Sequence, residues 1–293
     1  MSGTRLGWTS SADLLRTITR SRCGSFNHNP TMNRHSYIAA LLCAGVLSAC
    51  SKDPVRDISG PPPAASRIRF FNFGVNAPGV NFYANETKMT AITNATPGVE
   101  STNGIAYGGV GAGGAYEAIA PGQYTLTGKI AATTDKDLSI SPLATTIEDG
   151  KYYSYYMSGF YNSTTKTVEA FVVEDPVVAP TDFTVATVRF VNAISNANPM
   201  TLYAKSTTTA TESPIGAEVA YKGAGVFTQI PAGVYDLSTR YTGSATNVMT
   251  RTGVSFVGGR VYTITARGDI TVAASATACG ATNKTCLDNT ANR

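Results

Sequence analysis

The 293-residue sequence predicts an all-β protein: two tandem antiparallel β-sandwich domains, immunoglobulin-like or transthyretin-like, behind an N-terminal export segment. Three observations predict it. Short runs rich in Val, Ile, Tyr, Phe and Thr are broken by Gly, Pro and Asn, and no long stretch repeats its apolar residues at the helical period; that is the pattern of strands at sandwich spacing. The body of the chain appears twice, in the same order. Where alternation is clean, in Tyr124-Thr125-Leu126-Thr127 and Tyr262-Thr263-Ile264-Thr265, one face is apolar and the other carries threonine, which predicts one packed and one wet face.

The duplication is visible residue by residue. Ile68-Arg69-Phe70-Phe71-Asn72 returns as Val188-Arg189-Phe190-Val191-Asn192, Phe82-Tyr83-Ala84 as Leu202-Tyr203-Ala204, and Ile105-Ala106-Tyr107 as Val219-Ala220-Tyr221. Ala120-Pro121-Gly122-Gln123-Tyr124 returns as Pro231-Ala232-Gly233-Val234-Tyr235, and Gly150-Lys151-Tyr152-Tyr153 as Gly259-Arg260-Val261-Tyr262. The offset drifts from 120 to 109 along the chain, so the copies differ in loop length. Each copy is about 110 residues, a usual domain size, which indicates a duplicated domain and not a short solenoid repeat. Strands are predicted at 67–73, 80–84, 104–107, 123–130, 138–147, 152–159 and 167–173 in the first copy (67–175). In the second (183–272) they are predicted at 184–192, 201–204, 217–221, 234–241, 248–256 and 261–266. Glu174-Asp175-Pro176 through Pro180-Thr181-Asp182 is the boundary, and two prolines restrict it. Residues 273–293 are rich in Ala, Thr, Asn and Ser and read as a flexible tail.

Upstream of the first copy lies an address label. Tyr37 to Leu47 is an apolar run too short to span a bilayer, preceded by Arg34 and followed by small residues. It ends in Leu47-Ser48-Ala49-Cys50, which resembles the lipobox of bacterial lipoproteins. That resemblance implies cleavage before Cys50, lipidation of its thiol with palmitate-type chains, and a start at Met32, so that 32–49 is the signal peptide. Residues 1–31 carry Arg5, Arg16, Arg20 and Arg22 against Asp13 and read as an extension from a misassigned start. Residues 50–66, with Pro61-Pro62-Pro63, read as an extended tether. Ser51 after the lipidated cysteine points, by the same resemblance, to the outer membrane, on either its periplasmic face or the cell surface.

Removing the label changes the chemistry. Five of the 23 Lys and Arg and one of the 19 Asp and Glu precede Cys50, which leaves 18 of each and no basic surface to argue for nucleic acid. Both histidines, His28 and His35, also precede it, which excludes Ser-His-Asp and Cys-His catalysis from the body and removes the commonest transition-metal ligand. Cys279 and Cys286 remain, and a disulfide between them would close a small loop worth about 2–3 kcal/mol on the chain-entropy argument. No cofactor and no metal are expected.

Arg-Phe-Val/Phe-Asn, then Tyr-Gly or Tyr-Lys, Pro-Gly-x-Tyr and Gly-x-x-Tyr, taken together over about residues 66–270, resemble the bacterial envelope family known as domain of unknown function 4397. The resemblance implies an envelope β-sandwich, often in tandem and on lipoproteins. It implies no reaction, so no functional residues transfer from it. The stretch from Asn85 to Asn103 is longer than the family pattern.

The remaining candidates are weighed on their residues. Gly109-Val110-Gly111-Ala112-Gly113-Gly114 spells a dinucleotide fingerprint but leads into a strand, so it reads as a hairpin loop. Asp135/Asp137, Glu148/Asp149 and Glu174/Asp175 read as loop and linker acids, with a hard-cation site at the first two pairs as the sharper alternative. Arg69 and Arg189, inside apolar strands, read first as edge charges against strand addition and otherwise as buried partners of an acid. Tyr152, Tyr153, Tyr155, Tyr156 and Tyr161 lie within ten residues, and alternation is expected to turn one subset outward as a binding surface for sugar rings or a protein. The expected role is non-catalytic: a binding or adhesion module for a glycan or extracellular polymer. The alternatives are a structural subunit of an envelope complex and, last, a histidine-free hydrolase.

Overall fold

The computed structural model describes residues 66–93, 95–96, 99–177, 179, 181–272, 279 and 283–292. The signal peptide, Cys50 and the tether lie outside the described residues. The described chain is all-β apart from a short 3-10 turn at Gly111–Gly114, and no helix in it is long and apolar enough to cross a membrane.

The first copy supplies nine strands: β1 (Arg67–Val75), β2 (Val80–Ala84), β3 (Thr87–Lys88), β4 (Gly109–Val110), β5 (Glu117–Ala118), β6 (Gly122–Ile130), β7 (Leu143–Ile147), β8 (Tyr152–Asn162) and β9 (Thr167–Glu174). They form two sheets, β4-β1-β8-β9 with β5 also on β1, and β3-β2-β6-β7. The second copy supplies β10 (Val185–Asn192), β11 (Met200–Ser206), β12 (Glu212–Val219), β13 (Thr228–Pro231), β14 (Gly233–Tyr241), β15 (Met249–Phe256), β16 (Val261–Arg267) and β17 (Cys286–Ala291). These repeat the order as β13-β10-β16-β17 and β12-β11-β14-β15.

Period-2 alternation sorts the side chains into three apolar layers. Ile68 and Phe70 of β1 and Tyr153, Tyr155 and Met157 of β8 meet Val80, Phe82 and Leu126 of the facing sheet. Val188 and Phe190 of β10 and Tyr262 and Ile264 of β16 likewise meet Leu202, Leu237 and Phe256. The third layer joins the copies: Phe71, Phe73, Tyr156, Phe171 and Val173 of the first pack with Val191 and Ala193 of the second. Sheets β4-β1-β8-β9 and β13-β10-β16-β17 are therefore covered on both faces, and the four sheets stack with these two in the middle.

The repeated motifs recur as repeated hydrogen bonds. Tyr124 donates to the Ala120 carbonyl (3.0 Å) and Tyr235 to that of Pro231 (2.7 Å), a tyrosine-corner arrangement in each copy. The hydroxyls of Tyr153 and Tyr262 accept the Glu148 and Val257 amides at 3.1 and 3.0 Å. Asn72 donates to the Ile105 carbonyl at 2.8 Å and Asn192 to that of Val219 at 3.2 Å. Each motif residue fastens a strand end to the adjoining loop.

Four expectations are corrected. The sheets are not purely antiparallel, because β1–β8 and β10–β16 pair in parallel. Between the two parallel strands the chain builds the facing sheet, β2, β3, β6 and β7 in the first copy and β11, β12, β14 and β15 in the second, so that β8 and β16 run in the direction of β1 and β10. The threonine face of β16 is not wet: Thr263 and Thr265 are fully buried beneath the first copy. Residues 104–107 hold only a bridge from Ile105 to Val80, and β4 and β5 pair with β1 instead. The tail is not loose as far as the described residues go: β17 pairs along β16 from Cys286 to Ala291, and Leu287 enters the second core. Leu287→Ala should therefore lower the unfolding free energy by about 2–4 kcal/mol; chemical denaturation measures it, and an unchanged midpoint would mean that β17 does not close the core.

Candidate functional site

Where the copies meet, period-2 geometry turns Arg69 of β1 and Arg189 of β10 inward, against each other's sheets. Both are buried, and so is Asp175, the residue after β9. Buried charges persist only when paired and hydrogen-bonded, and this one is shared. Arg189 Nη2 donates to Asp175 Oδ1, and Arg69 Nη2 stands 3.8 Å from Oδ2. The Tyr116 and Ser154 hydroxyls each donate to Oδ2 at 2.6 Å. Arg69 Nε donates to Ser154 Oγ and Arg189 Nε to Thr263 Oγ1, both at 3.1 Å. Arg189 Nη1 reaches the Glu174 carbonyl at 2.8 Å, and Arg69 Nη1 reaches that of Ala291 at 3.2 Å. The Tyr116 ring lies 4.4 Å from the Arg69 guanidinium and the Phe227 ring 4.8 Å from that of Arg189. Burial, and after it the Asp175 carboxylate, push the Tyr116 phenol far above its usual range.

Further contacts flank this clasp. Arg267 of β16 pairs with Asp288 and lies 4.9 Å from the Tyr107 ring of the first copy and 5.3 Å from that of Phe73. Gly108, at φ +80°, leaves room for it, since a Cβ there would come within 2.9 Å of Arg267 Nη2. Tyr221 of the second copy meets Ser158 Oγ at 3.0 Å and donates to Glu169 Oε2 at 2.7 Å, which holds the Glu169 carboxyl below its usual range.

Arg69 and Arg189 are thus not edge charges; the alternative, buried partners of an acid, is what the structure contains. Nor do the tyrosines form a surface. Tyr155 and Tyr156 are fully buried and Tyr153 nearly so, because β8 is a central strand covered on both faces. Tyr155 donates to Ser141 Oγ at 2.8 Å in the first core, and Tyr156 stacks on Phe71 at 4.6 Å between the copies. Tyr152 and Tyr161 are half-buried. The loop acids are dispersed into local pairs, Asp135 with Lys166 and Glu148 with Lys151. Cys279 and Cys286 are bonded, their Cα atoms 5.5 Å apart. The glycine run forms β4 and the 3-10 turn, not a strand–helix junction.

The sequence reading did not find a cleft of about 450 Å³ at one end of the second copy. Ser206, Thr208, Thr209, Thr211 and Ser213 rim it, and Ala204, Ile230 and Tyr235 form its floor. Its rim carries no motif, because the hydroxyls come from the end of β11 and the β11–β12 hairpin, while Ala204 and Tyr235 of its floor belong to repeated motifs that the sequence reads as structural.

Residues 66–203 match the family model described as "Domain of unknown function (DUF4397)", so the motifs quoted from the sequence identify that family over this stretch. No curated protein matches. Among solved structures the chain is similar to the Bacillus anthracis TIE protein, at 11% identity and a TM-score of 0.22, over 69% of this chain and 34% of that one. It therefore spans about a third of that structure's length.

Beside Tyr116, Glu117 of β5 carries a carboxyl that burial pushes up to about 7. An unfolded glutamate releases its proton near 4.5. Between these values the folded state holds the extra proton, so Glu117 makes stability fall as pH rises from about 4.5 to 7. Glu117→Gln should raise the melting temperature at pH 8 and leave it nearly unchanged at pH 4; equal effects at both would refute the assignment.

Proposed function

We propose that the chain is a non-catalytic cell-envelope lipoprotein: two tandem β-sandwich domains carried on a lipid-anchored tether from Cys50, after removal of a signal peptide, at the outer membrane. Its role is to bind a glycan or extracellular polymer. The observation that carries this reading is the cleft over Tyr235, where five hydroxyl side chains rim an apolar and aromatic floor. That combination of convergent polar groups above an apolar base suits a ring bearing hydroxyls on its edge and C–H groups on its face. The buried ionisable groups support it from another side, since Arg69, Asp175 and Arg189 are engaged with one another in joining the copies. A structural role in an envelope complex is the second reading, favoured by the apolar layer that fuses the copies into one body.

The test is retention of the full chain on a panel of polysaccharides and on envelope extract. A polysaccharide should retain it saturably, and Thr211→Trp, which fills an exposed position of the rim, should weaken retention tenfold or more at an unchanged melting temperature. Silence on every polysaccharide, with one envelope protein held at fixed stoichiometry, would replace binding with scaffolding. Separately, Cys50→Ser should move the chain from the membrane to the soluble fraction; no change on fractionation would remove the lipid anchor.

A further inference from the structure

The contacts at the clasp occur in matched pairs, some within each copy and some crossing between the copies. Arg69 of the first copy donates Nη1 to the last residue of the second copy's final strand, Ala291; Arg189 of the second donates Nη1 to the last residue of the first copy's final strand, Glu174. Registers make these two acceptors equivalent, since Tyr153 pairs with Glu174 and Tyr262 with Ala291. The Nε atoms donate to the equivalent hydroxyls Ser154 and Thr263. Equivalent rings, Tyr116 and Phe227, cover the two guanidiniums. Farther out, Tyr107 of the first copy faces Arg267 of the second, while its counterpart Tyr221 faces Ser158, the equivalent of Arg267. An interface in which patch i meets patch j and j meets i is isologous, the kind made by two copies of one subunit about a two-fold axis.

The symmetry is broken at one pair of positions. After Glu174 comes Asp175, and after Ala291 comes Asn292. Their amides make the same bond, to the Tyr152 carbonyl and the Val261 carbonyl, each at 2.7 Å. Asp175 takes Arg189 Nη2, but the matching bond on the other side is missing: Arg69 Nη2 and Asn292 Oδ1 are both buried without a hydrogen-bond partner. The covering rings vary in step. Tyr116, which lends its hydroxyl to Asp175, is answered by Phe227, which has none. Two guanidiniums are left with one carboxylate between them.

We infer that the middle face of each copy is a self-complementary docking surface whose partner is a second copy of the same repeat, that the chain is such a dimer fused into one polypeptide, and that positions 175 and 292 are interchangeable seats for its single bridging carboxylate. This goes beyond the ligand-binding reading and does not depend on it.

The experiment moves the acid. In the full chain, thermal unfolding is followed for Asp175→Asn, Asn292→Asp and the double variant. Asp175→Asn should lower the midpoint by roughly 10 °C, or prevent folding, because it leaves buried guanidiniums without a counter-charge. Asn292→Asp alone should not lower it. The double variant should recover at least half of the loss, or restore folding if Asp175→Asn has abolished it, because the carboxylate then pairs with Arg69 from the equivalent seat. A double variant no more stable than Asp175→Asn would overturn the inference, as would an Asp175→Asn without loss or an Asn292→Asp that is itself destabilising.

Discussion

A carboxylate away from water must be surrounded by donors, and Asp175 sets the geometry of this molecule by that requirement. Its two oxygens draw on β1 and β8, on the segment before β5, and on β10 of the other copy. No rearrangement of one copy against the other keeps those donors in place, and a buried charge deprived of its partner costs about 3–5 kcal/mol. The apolar layer around Phe71, Tyr156 and Val191 contributes more area but less direction, since packing alone tolerates sliding. The residue at the seam between the copies is therefore the one that fixes how they face each other, and the proline-bearing segment after it need only be long enough to let β10 begin.

This division of labour explains what the repeated motifs are for. The arginine of Arg-Phe-x-Asn crosses to the other copy, and the asparagine four positions after the motif's first apolar residue ties the strand end to the next loop. The tyrosine of Pro-Gly-x-Tyr locks the corner before β6 and β14, and the tyrosine of Gly-x-x-Tyr receives the amide of the turn before it. All of these residues hold the frame. The cleft over Tyr235 owes its rim to a hairpin outside the motifs, as expected where a scaffold is kept and loops carry the variable contacts.

Strand positions were legible because a half-buried strand writes its face into the sequence at period 2. β2 falls at Val80–Ala84 as read, and β1, β6, β9, β10 and β14 differ from the reading by a residue or two. Much of what was not legible has one cause: a face buried against another domain looks, residue by residue, like a wet one. Thr263, Thr265, Ser154 and Arg189 alternate with apolar neighbours as solvent-facing residues would, yet water is replaced there by the other copy. The tyrosines of β8 misled for the same reason, since both of the strand's faces have a partner sheet. Pro142, which lacks an amide to donate, shortens the predicted 138–147 strand to β7. β17 escaped notice because Asp288, Asn289 and Thr290 have low apolar content, and only Leu287 points to a core.

The bond from Arg69 to Ala291 closes over 222 residues of chain. A polypeptide that emerges from the ribosome N-terminus first presents Arg69 early and Ala291 late. Until β17 arrives, the sheet of β10 and β16 lacks its edge strand and one guanidinium of the clasp lacks its carbonyl. Contacts this distant in sequence form slowly, because loop closure must be completed before they stabilise anything. Assembly of the middle of the molecule is thus gated by the arrival of its far end, and the interval before that is when its exposed strand edge is open to pairing with something else.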